Sequence, residues 1–272
     1  GKGVVVTPDA GAARALLADW YGAARVPGGG SDIVLEERLE GREVSVFALC
    51  DGRAIVPIGA ACDYKRAGDG DTGPNTGGMG AYSPPADFPD DLYDRVRERI
   101  LAPLLRGLLA EGEEYLGVVY CGLMWTADGP AVIEFNARFG DPETQVLLPR
   151  LGGDFAQLLD SVGRGAMDLS LVTASAQQCV GVVLATSDYP RSSTPLKGLN
   201  ADVTLGEGRH AFWGSSQLVD GRVSTGGGRV LTVTALGETL SAARASAYDG
   251  VAELARRLGT DQLTYRSDIA RL

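Results

Sequence analysis

The sequence predicts an α+β fold in two parts: a mixed or antiparallel sheet with helices, followed by a smaller α/β domain. Three observations predict it. Apolar β-type runs come in pairs across turn residues: 44–49 and 55–58 across Asp51-Gly52, then 116–124 and 131–135 across Ala127-Asp128-Gly129. That is the pattern of hairpins. Helix-period runs stand between and after them, and the character of the chain changes around Gly152-Gly153. These features place a domain boundary near residue 150, giving parts 1–150 and 151–272.

Taken in order, residues 4–6 read as a short strand and residues 9–20 as a helix with Leu16, Leu17 and Trp20 on one side. Residues 27–30 form a loop, and 33–39 a strand ahead of the first hairpin. The stretch 62–85 is the least regular and holds Gly68, Gly70, Gly73, Gly77, Gly78 and Gly80, so it reads as a long functional loop. It is expected to be mobile from 69 to 80 and to order over a ligand. Leu92, Val96, Ile100, Leu104 and Leu108 recur every four residues, predicting a long helix bent at Pro103. Asp141-Pro142-Glu143 reads as a helix start with Asp141 as N-cap. A helix over 154–162, strands over 179–184 and 230–234, and a helix capped by Thr239 and running to about Leu258 complete the second part.

The 272 residues carry 35 acidic against 25 basic side chains, a net charge of −10. Duplex nucleic acid and anionic membranes need a positive footprint, so neither is expected as main partner. Small anionic ligands need only a local positive cluster. The four cysteines, Cys50, Cys62, Cys121 and Cys179, form no Cys-x-x-Cys pair, and His210 is the one histidine. A Cys/His zinc site is therefore not expected, and scattered cysteines suit a reducing, cytoplasmic setting. No apolar run approaches a membrane span. Gly1-Lys2-Gly3 leads straight into Val4 with no methionine. Either the terminus is trimmed, or the chain starts inside a glycine-rich loop whose first half is missing.

Glu134-Phe135-Asn136-Ala137-Arg138 is the strongest local signal. On a strand, alternate residues share a face, so Glu134, Asn136 and Arg138 point together into a cleft while Ile133 and Phe135 face the core. A carboxylate beside an amide oxygen suits Mg²⁺, with Arg138 facing the anion that the metal holds. An ordinary polar strand face fits the same spacing. Asp63-Tyr64-Lys65-Arg66 precedes the glycine-rich loop through Asn75, a combination suited to phosphate and equally to a solvated loop. Glu36-Glu37-Arg38-Leu39 and then Glu43 place carboxylates where ribose hydroxyls bind, though surface glutamates are common. Together these elements make the kit that phosphoryl transfer needs.

Three stretches carry a family resemblance: Asp71-Thr72-Gly73-Pro74-Asn75-Thr76-Gly77-Gly78-Met79-Gly80-Ala81-Tyr82-Ser83-Pro84, the run from Glu134 through Arg138-Phe139-Gly140-Asp141-Pro142-Glu143-Thr144-Gln145, and Gly227-Gly228-Arg229-Val230-Leu231. Their order resembles the ATP-grasp superfamily, and their wording resembles the phosphoribosylamine–glycine ligase family within it. The resemblance covers the chain. It implies that residues 1–35 belong to the small ATP-grasp lobe, 36–150 to the large lobe and 151–272 to the family's C-terminal domain. It also implies an N-terminal domain and most of the small lobe ahead of Gly1, so that the chain alone is expected to be inactive.

The implied reaction uses ATP, glycine and 5-phosphoribosylamine and passes through glycyl phosphate to glycinamide ribonucleotide, with a monomer expected at full length. By motif, Glu36, Glu37, Arg38 and Leu39 border the adenine and Glu43 holds the ribose. Lys2, Arg66 and Asn75 serve the phosphates, and Glu134 and Asn136 ligate Mg²⁺ or Mn²⁺. Lys65, Arg138 and Asp141 stabilise the acyl phosphate or orient the acceptor. Two alternatives stand: another ATP-grasp ligase, of carboxylase or peptide-ligase type, and a non-catalytic fragment with residual nucleotide binding. Where the family usually reads Phe-His-Ala-Gly-Thr, this chain reads Phe212-Trp213-Gly214-Ser215-Ser216, and the segment 187–200 is shorter than usual.

Overall fold

In the computed structural model, residues 4–22 and 32–272 are described. They divide into two units, Gly1–Glu40 and Gly41–Leu272. The first contains α1 (Ala10–Gly22), an alanine-rich helix with no buried residue. Asp9 opens it, its Oδ1 accepting from the Ala12 amide at 2.8 Å. The strands expected at 4–6 and 33–39 are not formed. A strand needs a ladder partner for its backbone groups, and among the described residues neither segment has one. Lys2 and the loop 27–30 lie outside the described residues.

In the second unit the first hairpin forms as expected, β1 (Arg42–Asp51) against β2 (Ile55–Asp63). Asp51 closes it, its Oδ1 accepting from the Arg53 and Ala54 amides at 3.0 and 2.8 Å. The stretch 62–85 is more ordered than its composition suggests. It holds β3 (Arg66–Gly68), β4 (Thr72–Asn75) and β5 (Gly80–Ser83), because its glycines supply turn geometry while the residues between them pair. The long helix is α2 (Leu92–Val96), a π-helical turn over Arg97–Leu101, and α3 (Ala102–Ala110). The expected bend thus takes the form of a π turn leading into Pro103, which lacks an N–H to donate. Leu92, Val96, Ile100, Leu101 and Leu105 make its buried face.

A second hairpin, β6 (Leu116–Thr126) and β7 (Gly129–Asn136), follows. The next helix, α4 (Thr144–Leu147), begins after Glu143 and has no side-chain cap. Asp141 is not its N-cap, since the carboxylate is engaged elsewhere, as described below. Then come β8 (Leu151–Gly153), α5 (Phe155–Gly163), β9 (Val172–Ala174) and β10 (Gln178–Thr186). After these come β11 (Leu199–Asn200), β12 (Arg209–Trp213), β13 (Ser216–Val219), β14 (Arg222–Thr225) and β15 (Arg229–Gly237). The last elements are α6 (Leu240–Arg257), capped by Thr239 as expected, and β16 (Leu263–Thr264).

One antiparallel sheet organises this unit, in the order β12-β15-β10-β5-β2-β1-β6-β7, with β16 also on β10. It runs straight through the sequence position at which the chain changes character. The short β5 makes the join: Cys179 to Val182 of β10 pair with Ser83 to Gly80, and Cys62 and Asp63 of β2 pair with Tyr82 and Ala81. The approach is close enough to require glycine, since a Cβ at Gly80 would stand 2.6 Å from the Gly181 carbonyl oxygen. The core is continuous too. Val44, Val96 and Leu123 from before the join share one buried cluster with Val182, Leu184 and Leu254 from after it.

Because sheet and core cross the join, residues 41–272 should unfold as one cooperative unit. Leu184 is fully buried in β10. Leu184→Ala should cost about 2–5 kcal/mol and shift a single urea transition seen alike by fluorescence and far-ultraviolet circular dichroism. Two separated transitions would contradict this.

Candidate functional site

The end of β2 and the start of β1 bring charges together. The Lys65 Nζ lies 2.5 Å from Glu43 Oε2. Burial alone would disfavour the ammonium, but Asp63, Glu43 and Glu134 around it outweigh that and raise its pKa. Asp63 shows the converse. Desolvation, followed by the negative charges of Glu143 and Glu43 against the opposing Lys65, pushes its carboxyl up to about 7. Behind them Glu143, 4 % exposed, has its pKa raised by burial. Its Oε1 accepts from the Tyr120 hydroxyl at 3.1 Å, and Tyr120 in turn shares a 2.7 Å bond with Ser45 Oγ.

On β7 the amide of Asn136 donates to Glu134 Oε1 at 3.2 Å, which leaves the Asn136 oxygen and a carboxylate oxygen for another partner. The expected burial of the opposite face does not hold: Ile133 and Phe135 are 39 % and 42 % exposed. A register shift opposite Gly122 and Leu123 leaves Ile133 unpaired between Val132 and Glu134, and such a bulge breaks strict alternation. β7 is also the last strand of its sheet. Arg138 lies beyond the strand end, where its guanidinium donates to the Phe139 carbonyl at 2.9 Å. The common face therefore extends only through Asn136.

The hairpin of β3 and β4 pairs Arg66 directly with Asn75. The Arg66 guanidinium donates to the Gly73 carbonyl at 2.9 Å. Asp141 joins a third group. Its Oδ2 lies 3.0 Å from Arg229 Nη2, and its Oδ1 accepts from Gln145 Nε2 at 2.8 Å. Arg229 Nη1 also donates to the carbonyls of Asp141 and Gly77, at 2.5 and 2.7 Å. One guanidinium thus ties the glycine-rich loop, the Asp141 turn and β15 together. A cavity of about 270 Å³ opens beside it, lined by Asp141, Tyr189 and Arg229 together with Trp213, Gly214 and Ser215. Trp213, Gly214 and Ser215 belong to the segment whose sequence departs from the family pattern.

The structure therefore assembles Glu43 and Lys65 with Glu134 and Asn136 on the β1, β2 and β7 side, and pairs Arg66 with Asn75. Glu36, Glu37 and Arg38 are exposed and Leu39 half-buried in the first unit, where Arg38 lies 3.8 Å from Glu40. Sequence reasoning passed over Asp63, Tyr120, Glu143 and Arg229. Asp63, Glu143 and Arg229 stood inside the motifs singled out above. Only their long-range partners distinguish them from ordinary surface charges.

Comparison with known proteins gives two family matches. The phosphoribosylglycinamide synthetase ATP-grasp (A) domain matches residues 1–144, and the phosphoribosylglycinamide synthetase C domain matches residues 179–272. The phosphoribosylamine–glycine ligase of Caulobacter vibrioides is 43 % identical over 274 residues, which cover 99 % of this chain and 62 % of that protein. The ligase of Leifsonia xyli is 44 % identical over 276 residues, covering 99 % and 63 %. The crystal structure of phosphoribosylamine–glycine ligase from Thermotoga maritima superposes with a TM-score of 0.74 at 37 % identity, covering 86 % of this chain and 57 % of that one. A biotin carboxylase from Campylobacter jejuni shares the fold alone, with a TM-score of 0.56 at 14 % identity, covering 85 % and 47 %. The chain spans just over three-fifths of the length of the curated relatives it matches.

The Asp63 carboxyl has an ordinary pKa of 3.8 and one of about 7 in the fold. The folded state therefore holds an extra proton in that window, and stability falls as pH rises through it. Asp63→Asn cannot ionise and should lose this slope. Thermal melts at pH 5 and pH 8 should show the variant gaining on the parent at the higher pH; an equal difference at both would contradict the assignment.

Proposed function

The chain belongs to the phosphoribosylglycinamide synthetase family, and on that premise we propose that its full-length protein joins glycine to 5-phosphoribosylamine with ATP as the driving reactant. The products are glycinamide ribonucleotide, ADP and phosphate. The observation that carries this reading is the Lys65 ammonium, held at 2.5 Å by Glu43 and under the field of Glu134. It is a cation set among the carboxylates of Asp63, Glu43 and Glu134, in a chain of net charge −10.

In this reading a glycine carboxylate oxygen attacks the γ-phosphorus and the bond to the β-phosphate oxygen breaks, releasing ADP. The acceptor amine then attacks the acyl carbon and phosphate leaves. Activation is needed because a carboxylate is a poor electrophile. No covalent nucleophile on the protein is required, so the residues act by charge and placement. Lys65 meets the phosphoryl oxygens, and Arg66 and Asn75 border them from the paired hairpin. Glu43 orients Lys65 through one oxygen and accepts from a ribose hydroxyl with the other. As the family resemblance implies, Glu36, Glu37, Arg38 and Leu39 would border the adenine and Lys2 would serve the phosphates. Arg138 and Asp141 stand towards the acyl phosphate and the acceptor, and the cavity beside Asp141 receives the acceptor.

Glu134 and Asn136 fit a divalent cation. They offer adjacent hard oxygens on an open strand, and no three His, Cys, Asp or Glu groups gather into a closed cage among the described residues. Mg²⁺ is commonly held this way, through few protein oxygens with substrate phosphates completing its shell. When bound, Mg²⁺ or Mn²⁺ would neutralise phosphate charge.

We read residues 1–35 as part of the small lobe, 36–150 as the large lobe and 151–272 as the C-terminal domain. The two family matches end and begin on either side of residue 150, while the sheet runs through it, so the division is one of sequence and not of sheet. The four cysteines are free and buried, and among the described residues no helix is long and apolar enough to cross a membrane. The free cysteines agree with a reducing, cytosolic setting; small-molecule partners and a monomer at full length belong to the same reading.

Glu134→Gln and Asn136→Ala should each lower ADP release in the full-length protein by at least about a hundredfold, since metal stabilisation of phosphoryl charge is worth several kcal/mol. Their unfolding free energies should stay within about 0.5 kcal/mol of the parent, as for substitutions outside the core. Near-normal ADP release from the double variant would sink the metal assignment.

A further inference from the structure

The last residues of the chain reach back about 200 positions to hold the hairpin that carries Arg66 and Asn75. Arg266 is 2 % exposed, yet every part of its guanidinium is used. Nε and Nη2 donate to the two oxygens of Asp268 at 2.7 and 2.6 Å, a bidentate pair. Nη1 donates to Asp71 Oδ1 at 2.7 Å and to the Arg66 carbonyl at 3.1 Å. The guanidinium carbon lies 4.8 Å from the centre of the Tyr64 ring. The neighbours of Arg266 repeat the attachment: Gly70 N donates to Asp268 Oδ2, Ser267 N to Asp69 Oδ1 and Ala270 N to the Tyr64 hydroxyl, at 2.8, 2.8 and 3.0 Å.

The segment is fixed from behind as well. Tyr248 of α6 donates its hydroxyl to the Arg266 carbonyl at 2.7 Å, and Arg244 donates to the carbonyls of Ser267 and Ile269 at 2.6 and 2.9 Å. The clamp therefore joins α6 to the tip of the hairpin at Asp69, Gly70 and Asp71, the stretch that its glycines alone would leave loose. A buried arginine is costly to desolvate unless its partners are well placed. Here they are placed to fix the residues on either side of Lys65, namely the Tyr64 ring and the Arg66 backbone.

We propose that Arg266 is a positioning residue for the phosphate side of the site, setting Lys65 and Arg66 by locking Tyr64, the Arg66 carbonyl and Asp71 to the α6 frame. The proposal rests on the reading of Lys65 and Arg66 as phosphate-facing groups. It makes a C-terminal side chain that touches no substrate a determinant of ATP use. It also replaces the expectation of a freely mobile loop from 69 to 80 with one whose tip is anchored and whose remaining length carries Asn75.

The test uses Arg266→Lys and Asp71→Asn in the full-length protein. Lysine keeps the charge but lacks the planar fork, and Asp71→Asn weakens one arm of the clamp by removing its negative charge while leaving the pair with Asp268 intact. Amide hydrogen exchange over 66–75 should quicken by about tenfold in Arg266→Lys and by less in Asp71→Asn. KM for ATP should rise by about tenfold in Arg266→Lys, with KM for glycine within about twofold of the parent. Unchanged exchange over 66–75 in both variants, or an equal rise of both KM values, would overturn the proposal. If Arg266→Lys does not fold, Asp71→Asn decides by the same two readouts. If the parent shows no turnover dependent on ATP and glycine, the proposed function fails by itself, and exchange over 66–75 still decides whether the clamp positions the hairpin.

Discussion

A lysine ammonium set among carboxylates is the interaction on which the rest of the site depends. Lys65 is attracted by Asp63, Glu43 and Glu134, and Glu143 feels its charge in turn. Beyond burial, the negative charge of Glu143 raises the pKa of Asp63, and the Lys65 ammonium opposes it. With that ammonium in place, burial still raises the pKa values of Asp63 and Glu143. Several carboxylates around one ammonium suit a place where a divalent cation arrives together with phosphate. Each alters the balance that the side chains leave open.

Holding Lys65 in such a nest demands a stiff backbone, and the fold supplies it from distant parts of the chain. β2 is paired with β1 on one side and β5 on the other, and β5 is paired with β10 from beyond residue 150. Arg229 of β15 binds the glycine-rich loop at Gly77 and the turn at Asp141. Arg266 binds the hairpin tip and the Arg66 carbonyl. Two arginines from the C-terminal third thus do by hydrogen bonding what a local loop rich in glycine cannot do alone. The family's two domains are, in this chain, one mechanical unit around the site.

Much of the fold was legible because it is written locally. The turn at Asp51-Gly52, the cap at Thr239, the repeat from Leu92 to Leu108 and the hairpin into β7 all depend on residues within a few positions of each other. The misses have the opposite character. Residues 33–39 have the composition of a strand but no described partner, and composition cannot supply one. The segment 66–83 reads as loop because glycine is frequent, yet its strands form against partners set by long-range pairing. The bulge at Ile133 shifts a face that simple alternation assigns to the core. Asp141 has the right neighbours for an N-cap and is taken instead by Arg229, 88 positions away. Of the candidate site, Glu134, Asn136, Lys65 and Glu43 were legible from motif wording. Asp63, Glu143, Arg229 and Arg266 were not, since their meaning lies in contacts that no local pattern records.

The central claim is that the nest around Lys65 and the oxygens of Glu134 and Asn136 form one phosphate- and metal-binding centre. A crystal structure of the full-length protein with Mg²⁺ and a non-hydrolysable ATP analogue tests it most directly. The account predicts a metal about 2.0–2.1 Å from oxygens of Glu134 and Asn136, with the Lys65 ammonium on a phosphate oxygen of the same nucleotide. A nucleotide and metal bound without contact to β7 or to Lys65 would contradict it.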